Sequence, residues 1–489
     1  MKNYLVGGLL SLTCLSATAQ KKIDFIEYDL PNGLHVILHE EHATPIVAVT
    51  VLYHVGSKNE RVGRTGFAHF FEHLLFEGSN NIGRGEYSEI VEKNGGELNA
   101  NTSQDRTFYY EVLPSNQLEL GLWLESERML HAKVDNVGVE TQRSVVKEEK
   151  RQRYDNQPYA TFIGEMFKRM FTKHPYNWIP IGSMEDLNAA QEEDYVNFYK
   201  TFYVPSNATL SIAGDINVAQ AKKWIDTYFG SIPKGEGINL YRDVENLSDE
   251  AFKLKYGVDR KKFDLANIMG SKDIEAKRLI NAYTAKPVKI NRPEKDTELL
   301  TGVLRDTVYD NIQLPAIFVG YKFPAQTHED AYALTLLNDI LSSGSSSRMN
   351  KSIVEKQQLA NFAFSYNYAL EDAGMGIFAA FASKDVKLES IEAEFDKLIS
   401  EIKTNLVSQE EFEKVRNALE NNLVYSNASV AGVAENLADN HVYFGGANEA
   451  NKSIDRYLKV TREDIMRVAN KYLTQDARII LYYLPNQTN

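Results

Sequence analysis

Two histidines four residues apart, His69 and His73, enclose Glu72 within an apolar run from Phe67 to Phe76. On a helix turning about 100° per residue, His73 lies about 40° from His69 and Glu72 about 60° to the other side, so the three side chains share one stripe. Two imidazoles one turn apart can chelate a single ion, and the carboxylate beside them can reach a water on that ion; the order is the reverse of H-E-x-x-H. A lone histidine is more often a satisfied core residue, but the paired spacing with an adjacent acid favours the metal reading. A catalytic zinc takes three protein ligands and leaves one position to water, so a third ligand must come from elsewhere. The single cysteine, Cys14, sits among the first twenty residues, which leaves His, Asp or Glu to supply it. The acidic helical segment Val145-Val146-Lys147-Glu148-Glu149-Lys150 is the best source. Adjacent carboxylates on a helix point about 100° apart, so only one of Glu148 and Glu149 can face the site. Glu149, one turn beyond a Val145 read as inward-facing, is the weakly favoured choice, and a solvated Glu/Lys helix face explains the same residues equally well.

The chain that positions these groups has 489 residues, 43% hydrophobic and 25% charged, an ordinary globular balance with length for more than one core. Its 54 Lys and Arg against 67 Asp and Glu give a net charge of −13, which repels phosphate backbones and argues against a nucleic-acid partner. At the start, Lys2, an apolar run from Tyr4 to Ala17, and Ala17-Thr18-Ala19 read as a secretory signal peptide over residues 1–19, with Gln20 as the mature start. The run, about 14 residues, is shorter than the roughly 20 needed to span a bilayer, and no later segment is long and apolar enough. The expected location is therefore outside the cytoplasm, periplasmic or secreted, in a bacterial setting.

Two stretches of the chain look alike. Pro45-Ile-Val-Ala-Val-Thr-Val-Leu-Tyr precedes a helical pattern closing at Gly78-Ser79, and Pro315-Ala-Ile-Phe-Val-Gly-Tyr precedes one closing at Ser342-Ser343-Gly344. The offsets, 270 between the prolines and 266 between the glycines, are nearly constant, as in a duplicated domain. Each half continues through long helical patterns to a strand, at Ala208 to Ala213 and at Ala477 to Tyr483. The expected fold class is α+β: two duplicated α/β-sandwich domains, each a mixed or antiparallel sheet with helices on one face. The expected layout is a zinc-bearing domain at 20–245, a linker or insertion at 246–295, where apolar periodicity fades, and a homologous zinc-free domain at 296–489.

Together with His69-x-x-Glu72-His73, the segments Gly66-Phe-Ala-His-Phe-Phe-Glu-His-Leu-Leu-Phe-Glu-Gly-Ser, Gly95-Gly-Glu-Leu-Asn-Ala-Asn-Thr-Ser, Val145-Val-Lys-Glu-Glu, Tyr203-Val-Pro-Ser-Asn-Ala and Phe229-Gly-Ser-Ile-Pro resemble the pitrilysin/insulinase family of zinc metallopeptidases, the inverzincins, in its shorter processing-peptidase-like branch. The resemblance selects Glu149 as the third ligand of one Zn2+ per chain. It implies an endopeptidase that cuts peptides or unfolded segments in a chamber between two such halves, with Glu72 as the general base and then acid. It also places Asn99, Ala100, Asn101 and Thr102 on a sheet edge beside the metal, where an extended peptide could add as a strand; the plain alternative is an edge kept polar against aggregation.

The likeness fails in one place. Single-chain members carry an Arg and a Tyr seven residues apart in the second half, but Val354 and Asn361 stand there. Transition-state stabilisation is then left to the zinc, to nearby residues such as Tyr366 or Tyr368, or to a second chain. The expected partner is a homologous zinc-free subunit carrying the Arg/Tyr pair, or a second copy of this chain. Position 142, where the family often has Glu, is Gln. The competing reading is a non-catalytic peptide-binding or structural chamber subunit. A metal-dependent hydrolase of small esters or phosphates lacks the Gly-rich or Arg-rich loops it would need.

Overall fold

The protein is described by a computed structural model covering residues 22–234, 248–250, 290 and 292–486. The expected signal peptide at 1–19 and most of the expected linker at 246–295 lie outside the described residues. Among the described residues, no helix is long and apolar enough to cross a membrane.

Runs of β-branched and aromatic residues form two mixed sheets. The first contains β1 (Ile26–Asp29), β2 (His35–Glu40), β3 (Ile46–Tyr53), β4 (Glu97–Thr102), β5 (Thr107–Pro114) and β6 (Ala208–Gly214), in spatial order β1-β2-β6-β3-β5-β4. The second contains β7 (Val303–Asp310), β8 (Ala316–Phe323), β9 (Ala360–Ala369), β10 (Gly374–Ala382) and β11 (Arg478–Pro485), in order β7-β11-β8-β10-β9. Only β2 with β6 and β7 with β11 run parallel; the other neighbours are antiparallel. Strand for strand, β2-β6-β3-β5-β4 matches β7-β11-β8-β10-β9, and β1 is an additional edge. The duplication expected from the repeated landmarks is thus present in both topology and direction.

Among the described residues, the first half has α1 (Phe67–Leu74), α2 (Glu86–Lys93), α3 (Leu118–His131), α4 (Asn136–Lys150), α5 (Phe162–Met170), α6 (Met184–Ala189), α7 (Glu192–Phe202) and α8 (Val218–Phe229). The second half has α9 (Asp330–Ser342), α10 (Leu388–Thr404), α11 (Gln409–Ser426), α12 (Val430–Phe444), α13 (Ser453–Leu458) and α14 (Arg462–Tyr472).

Each half lays its own helices on one face of its sheet, as expected. In the first, Val36, Leu38, Val49 and Val51 pack with Phe70, Phe71, Leu122 and Ile225; in the second, Ile317, Val319 and Ile480 pack with Leu334, Leu337, Ile391 and Val468. The central strands are apolar on both faces, however, and a second apolar face must also be covered. Each half lends the other a helix for this. Val433, Ala434, Leu437 and Ala438 of α12 lie on Ile37, Leu52, Phe108 and Ala213 of the first sheet. Met166, Phe167 and Met170 of α5 lie on Phe318, Met375, Ile377 and Leu481 of the second. Gly320 permits that approach, since a Cβ there would stand 2.4 Å from Met166 Sδ.

Charged groups fasten the exchange. Lys58, with 1% of its side chain exposed, places Nζ 3.0 Å from Asp105, 2.7 Å from Glu371 and 2.9 Å from Asp372. His54 bonds Glu371 at 2.7 Å, and the Glu371 backbone N–H donates to Asp105 at 2.9 Å. Arg106 reaches Glu435 and Asp439 on α12.

Candidate metal centre

The local sequence accounts for the orientation of α1. Phe67, Ala68, Phe70, Phe71 and Leu74 are buried, which turns His69, Glu72 and His73 to the opposite side. The rings of Phe67, Phe70 and Phe71 pack on Tyr195, Phe198 and Tyr199 of α7. At the helix start Gly66 has φ 92°, a left-handed conformation suited to glycine. The orphan N–H groups of Gly66 and Ala68 donate to the buried Glu60 carboxyl oxygens, each at 2.9 Å, a side-chain cap that sequence reasoning missed because Glu60 precedes the helix by a loop. Burial nonetheless pushes the Glu60 carboxyl well above its usual range.

The third ligand-type side chain arrives on α4, whose first turn is capped by Asp135 accepting from the Gly138 N–H at 2.8 Å. The inward residue of its last turns is Val146, fully buried, and not Val145, which is 44% exposed. This corrects the helix phase assumed from the sequence: Glu149 faces inward because it lies one turn beyond Val146. Glu148 points to solvent, where it meets Arg151 and Gln152. The helix then widens into a π-type turn at Arg151–Asp155, a distortion frequent at functional sites, which returns Arg153 to Glu149 Oε1 at 2.7 Å. Gln142 donates to Glu77 at 2.5 Å.

The side chains of His69, His73 and Glu149 converge, with one ligand atom from each within 4.8 Å of the others. Glu149 Oε2 lies 3.5 Å from His69 Nε2 and 3.2 Å from His73 Nε2. Ligands about 2.0–2.1 Å from a tetrahedral zinc stand about 3.3–3.4 Å apart, so these separations fit one shared ion. Glu149 Oε2 is also buried without an aligned donor. Burial, with His73 beside it, lowers the His69 pKa to about 4, so its ring is neutral at pH 7, the form that binds metals. The His73 ring, followed by His69 and Arg153, holds Glu149 below the usual carboxylate range against the effect of burial. Burial raises the pKa of Glu72, against the pull of the Thr102 hydroxyl and His73.

Asn99, Ala100, Asn101 and Thr102 all lie on β4, the free edge strand of the first sheet next to α1. The side chains alternate: Leu98 and Ala100 pack toward the core, while Asn99 and Asn101 are exposed. The Ala100 N–H donates to the Asn99 side chain at 2.8 Å rather than to β5. By the alternation of an antiparallel ladder, the main-chain groups of Leu98, Ala100 and Thr102 face the open edge.

In the second half, Val354 packs against the apolar core and Asn361 is exposed, its side-chain amide donating to the Ala382 carbonyl at 3.4 Å. Tyr366 and Tyr368 lie on the edge strand β9 with rings 4.4 Å apart. Tyr368 is within electrostatic reach of Tyr154, which in turn feels Glu149.

Residues 35–180 match the family model described as insulinase (peptidase family M16), and residues 190–419 match the one described as the peptidase M16 inactive domain. The zinc protease PqqE of Helicobacter pylori is 30% identical over 498 residues, covering 98% of this chain and 100% of that protein. The crystal structure of a protease from Helicobacter pylori aligns with TM-score 0.77 and 28% identity over 94% of this chain and 100% of that one. A peptidase M16 inactive domain from Pseudomonas fluorescens aligns with TM-score 0.74 over 95% of this chain and 99% of that one; at 15% identity it shows the fold alone. Sequence likeness along nearly the whole length and a common fold point the same way, and the chain belongs to the insulinase family of peptidases, family M16.

Proposed function

We propose that the protein is a zinc-dependent endopeptidase acting on peptides or unfolded segments, with one catalytic Zn2+ held by His69, His73 and Glu149. The observation that carries the reading is the convergence of those three side chains at spacings suited to zinc, with the raised carboxyl of Glu72 on the same helix face. Bound there, Zn2+ supplies a Lewis acid that polarises the scissile carbonyl and acidifies water toward a pKa of about 7. Glu72 accepts a proton from the attacking water and delivers it to the leaving amine nitrogen, a role suited to a carboxyl raised toward neutrality. The free edge of β4 binds the substrate as an added strand through the main-chain groups of Leu98, Ala100 and Thr102, so affinity depends little on substrate sequence. Arg153 holds one Glu149 oxygen, leaving the other for the ion.

With Val354 and Asn361 where the resemblance to single-chain family members calls for Arg and Tyr, the chain acts as the zinc-bearing subunit beside a homologous zinc-free partner, or as a homodimer, in an enclosed chamber. Residues 1–19 direct it out of the cytoplasm, to the periplasm or the exterior. Cleavage of an unstructured peptide by the purified chain, followed with and without a chelator and repeated for Glu72→Gln, tests the activity. Chelator-sensitive turnover lost in Glu72→Gln supports it; metal binding without cleavage, alone or with any partner, would instead make the chain the non-catalytic chamber subunit that the second half's missing pair favours.

A further inference from the structure

A second group of ligand-type side chains lies on the opposite face of the first sheet. Glu27 on β1, His35 on β2 and His441 on α12 each bring one ligand atom to within 4.8 Å of the others. Along β2, Val36 and Leu38 enter the core beneath α1 whereas Ile37 faces α12, and His35 shares the face of Ile37. Four strand spacings of ~4.8 Å separate β2 from β4, so this cluster is roughly 19 Å across the sheet from the strand beside α1, and on its other side.

His35 is arranged as metal-binding histidines are. Its Nδ1 lies 2.8 Å from Asp29 Oδ1, and an ionised carboxylate can only accept, so Nδ1 carries a ring proton and Nε2 is the nitrogen left to face a ligand. That Nε2 is buried, has no hydrogen-bond partner, and stands 3.4 Å from Glu27 Oε2. Two acceptors turned on each other repel unless a cation or a proton lies between them. A carboxylate behind one nitrogen with the other aimed at an ion is the usual support of a ligating imidazole. The His441 ring stacks on His35, with centroids 3.4 Å apart and planes 6° from parallel. One His441 ring nitrogen already lies within 4.8 Å of the other two ligand atoms, sharing an ion requires that ring to tilt out of the stack, and Glu27 has 40% of its side chain exposed.

We propose that Glu27, His35 and His441 form a second divalent-cation site, which takes zinc and clamps α12 of the second half onto the first sheet. Two imidazoles and one carboxylate suit zinc better than magnesium or calcium, which prefer all-oxygen sets. Because α12 covers the first sheet, the ion acts on the closure of the two halves and not on hydrolysis.

Zinc per chain, measured by elemental analysis after equilibration at micromolar free zinc, tests the site on the full chain. The expected values are two for the wild type, one for His69→Ala/His73→Ala, one for His441→Ala, and none for the triple variant. A wild-type value of one that survives His69→Ala/His73→Ala but is lost in His441→Ala would support this site while removing the first. An unchanged value in His441→Ala overturns it. Glu27→Gln, on an exposed edge strand, guards against a folding failure of His441→Ala and should weaken zinc binding at least tenfold. In the His69→Ala/His73→Ala chain, zinc should raise the melting temperature by several degrees; a melting temperature that follows pH but ignores zinc means a proton bridges the cluster, and sinks the proposal.

Discussion

In the first half α1 lies against the edge strand β4, and in the second α9 lies against the edge strand β9, at the equivalent place in an equivalent sheet. On α1 the ligand-type positions are His69, Glu72 and His73; on α9, at an offset of 266, the matching positions are Thr335, Asn338 and Asp339, with Ser342 one turn on. The Ser342 hydroxyl donates to the Ser365 carbonyl at 3.1 Å, and the Asn367 amide donates to Thr335 at 3.2 Å. The second copy is a joint, in which small polar groups satisfy one another. In the first copy, one ligand atom from each of two imidazoles and a carboxylate converges, and Glu149 Oε2 is buried among them without a hydrogen-bond partner. Buried polar groups are nearly always paired, so an arrangement that leaves them unpaired marks a place built for a ligand. The edge strands differ accordingly: β4 is small and polar, whereas β9 exposes Phe362 and Tyr366.

The widest difference to test is metal capture. His69→Ala and Glu149→Ala should lose zinc and all turnover, while Glu148→Ala keeps both; zinc content and peptide cleavage read this, and a zinc-free Glu148→Ala would undo the helix phase argued above. Next, Glu72→Gln should retain zinc yet lower kcat by about 10^2 to 10^4, whereas Asn338→Ala on the equivalent helix should leave kcat within about threefold, as expected of a residue outside the reaction.

The two copies can be compared only if they are held together, and Lys58 is the test of that. Lys58→Met leaves Asp105, Glu371 and Asp372 without their shared cation and should cost about 3–5 kcal/mol in denaturant unfolding. An unchanged midpoint would mean that the charges between the halves are dispensable.

Smaller and opposite in meaning to Glu72 is Asp339, the acid one position beyond Glu72's counterpart Asn338 in α9, which burial raises to about 6. An acid whose folded pKa lies above its unfolded value of about 3.8 costs stability that appears as pH rises from about 4 to 6 and is fully present above that. Asp339→Asn should therefore stabilise the chain at pH 7, by about 1–3 kcal/mol, and flatten its stability between pH 4 and 6. Removing the raised acid of α1 costs activity; removing that of α9 should gain stability. The smallest effect is at the strand edge: Ala100→Pro removes one outward N–H and should raise KM about fivefold with kcat nearly unchanged, consistent with the loss of one main-chain hydrogen bond.

The amino-acid sequence by itself determined what lies within a turn or two of backbone. His69, Glu72 and His73 share a stripe because helical periodicity leaves them no other choice once Phe67, Phe70, Phe71 and Leu74 are buried, and the repeated strand, helix and turn landmarks disclosed the duplicated fold. Periodicity was less reliable where apolar residues are adjacent, as at Val145 and Val146, since either can be the buried one until a neighbour is present. The tertiary structure alone decided that Val146 and not Val145 turns inward beside Glu149, that α5 and α12 are exchanged between sheets, and that Lys58 joins Asp105 to Glu371 and Asp372. It also decided that His441 reaches His35. Local sequence sets which side of an element is apolar, but which remote surface covers it depends on the burial of both faces of both sheets at once, a balance that no single stretch of the chain contains.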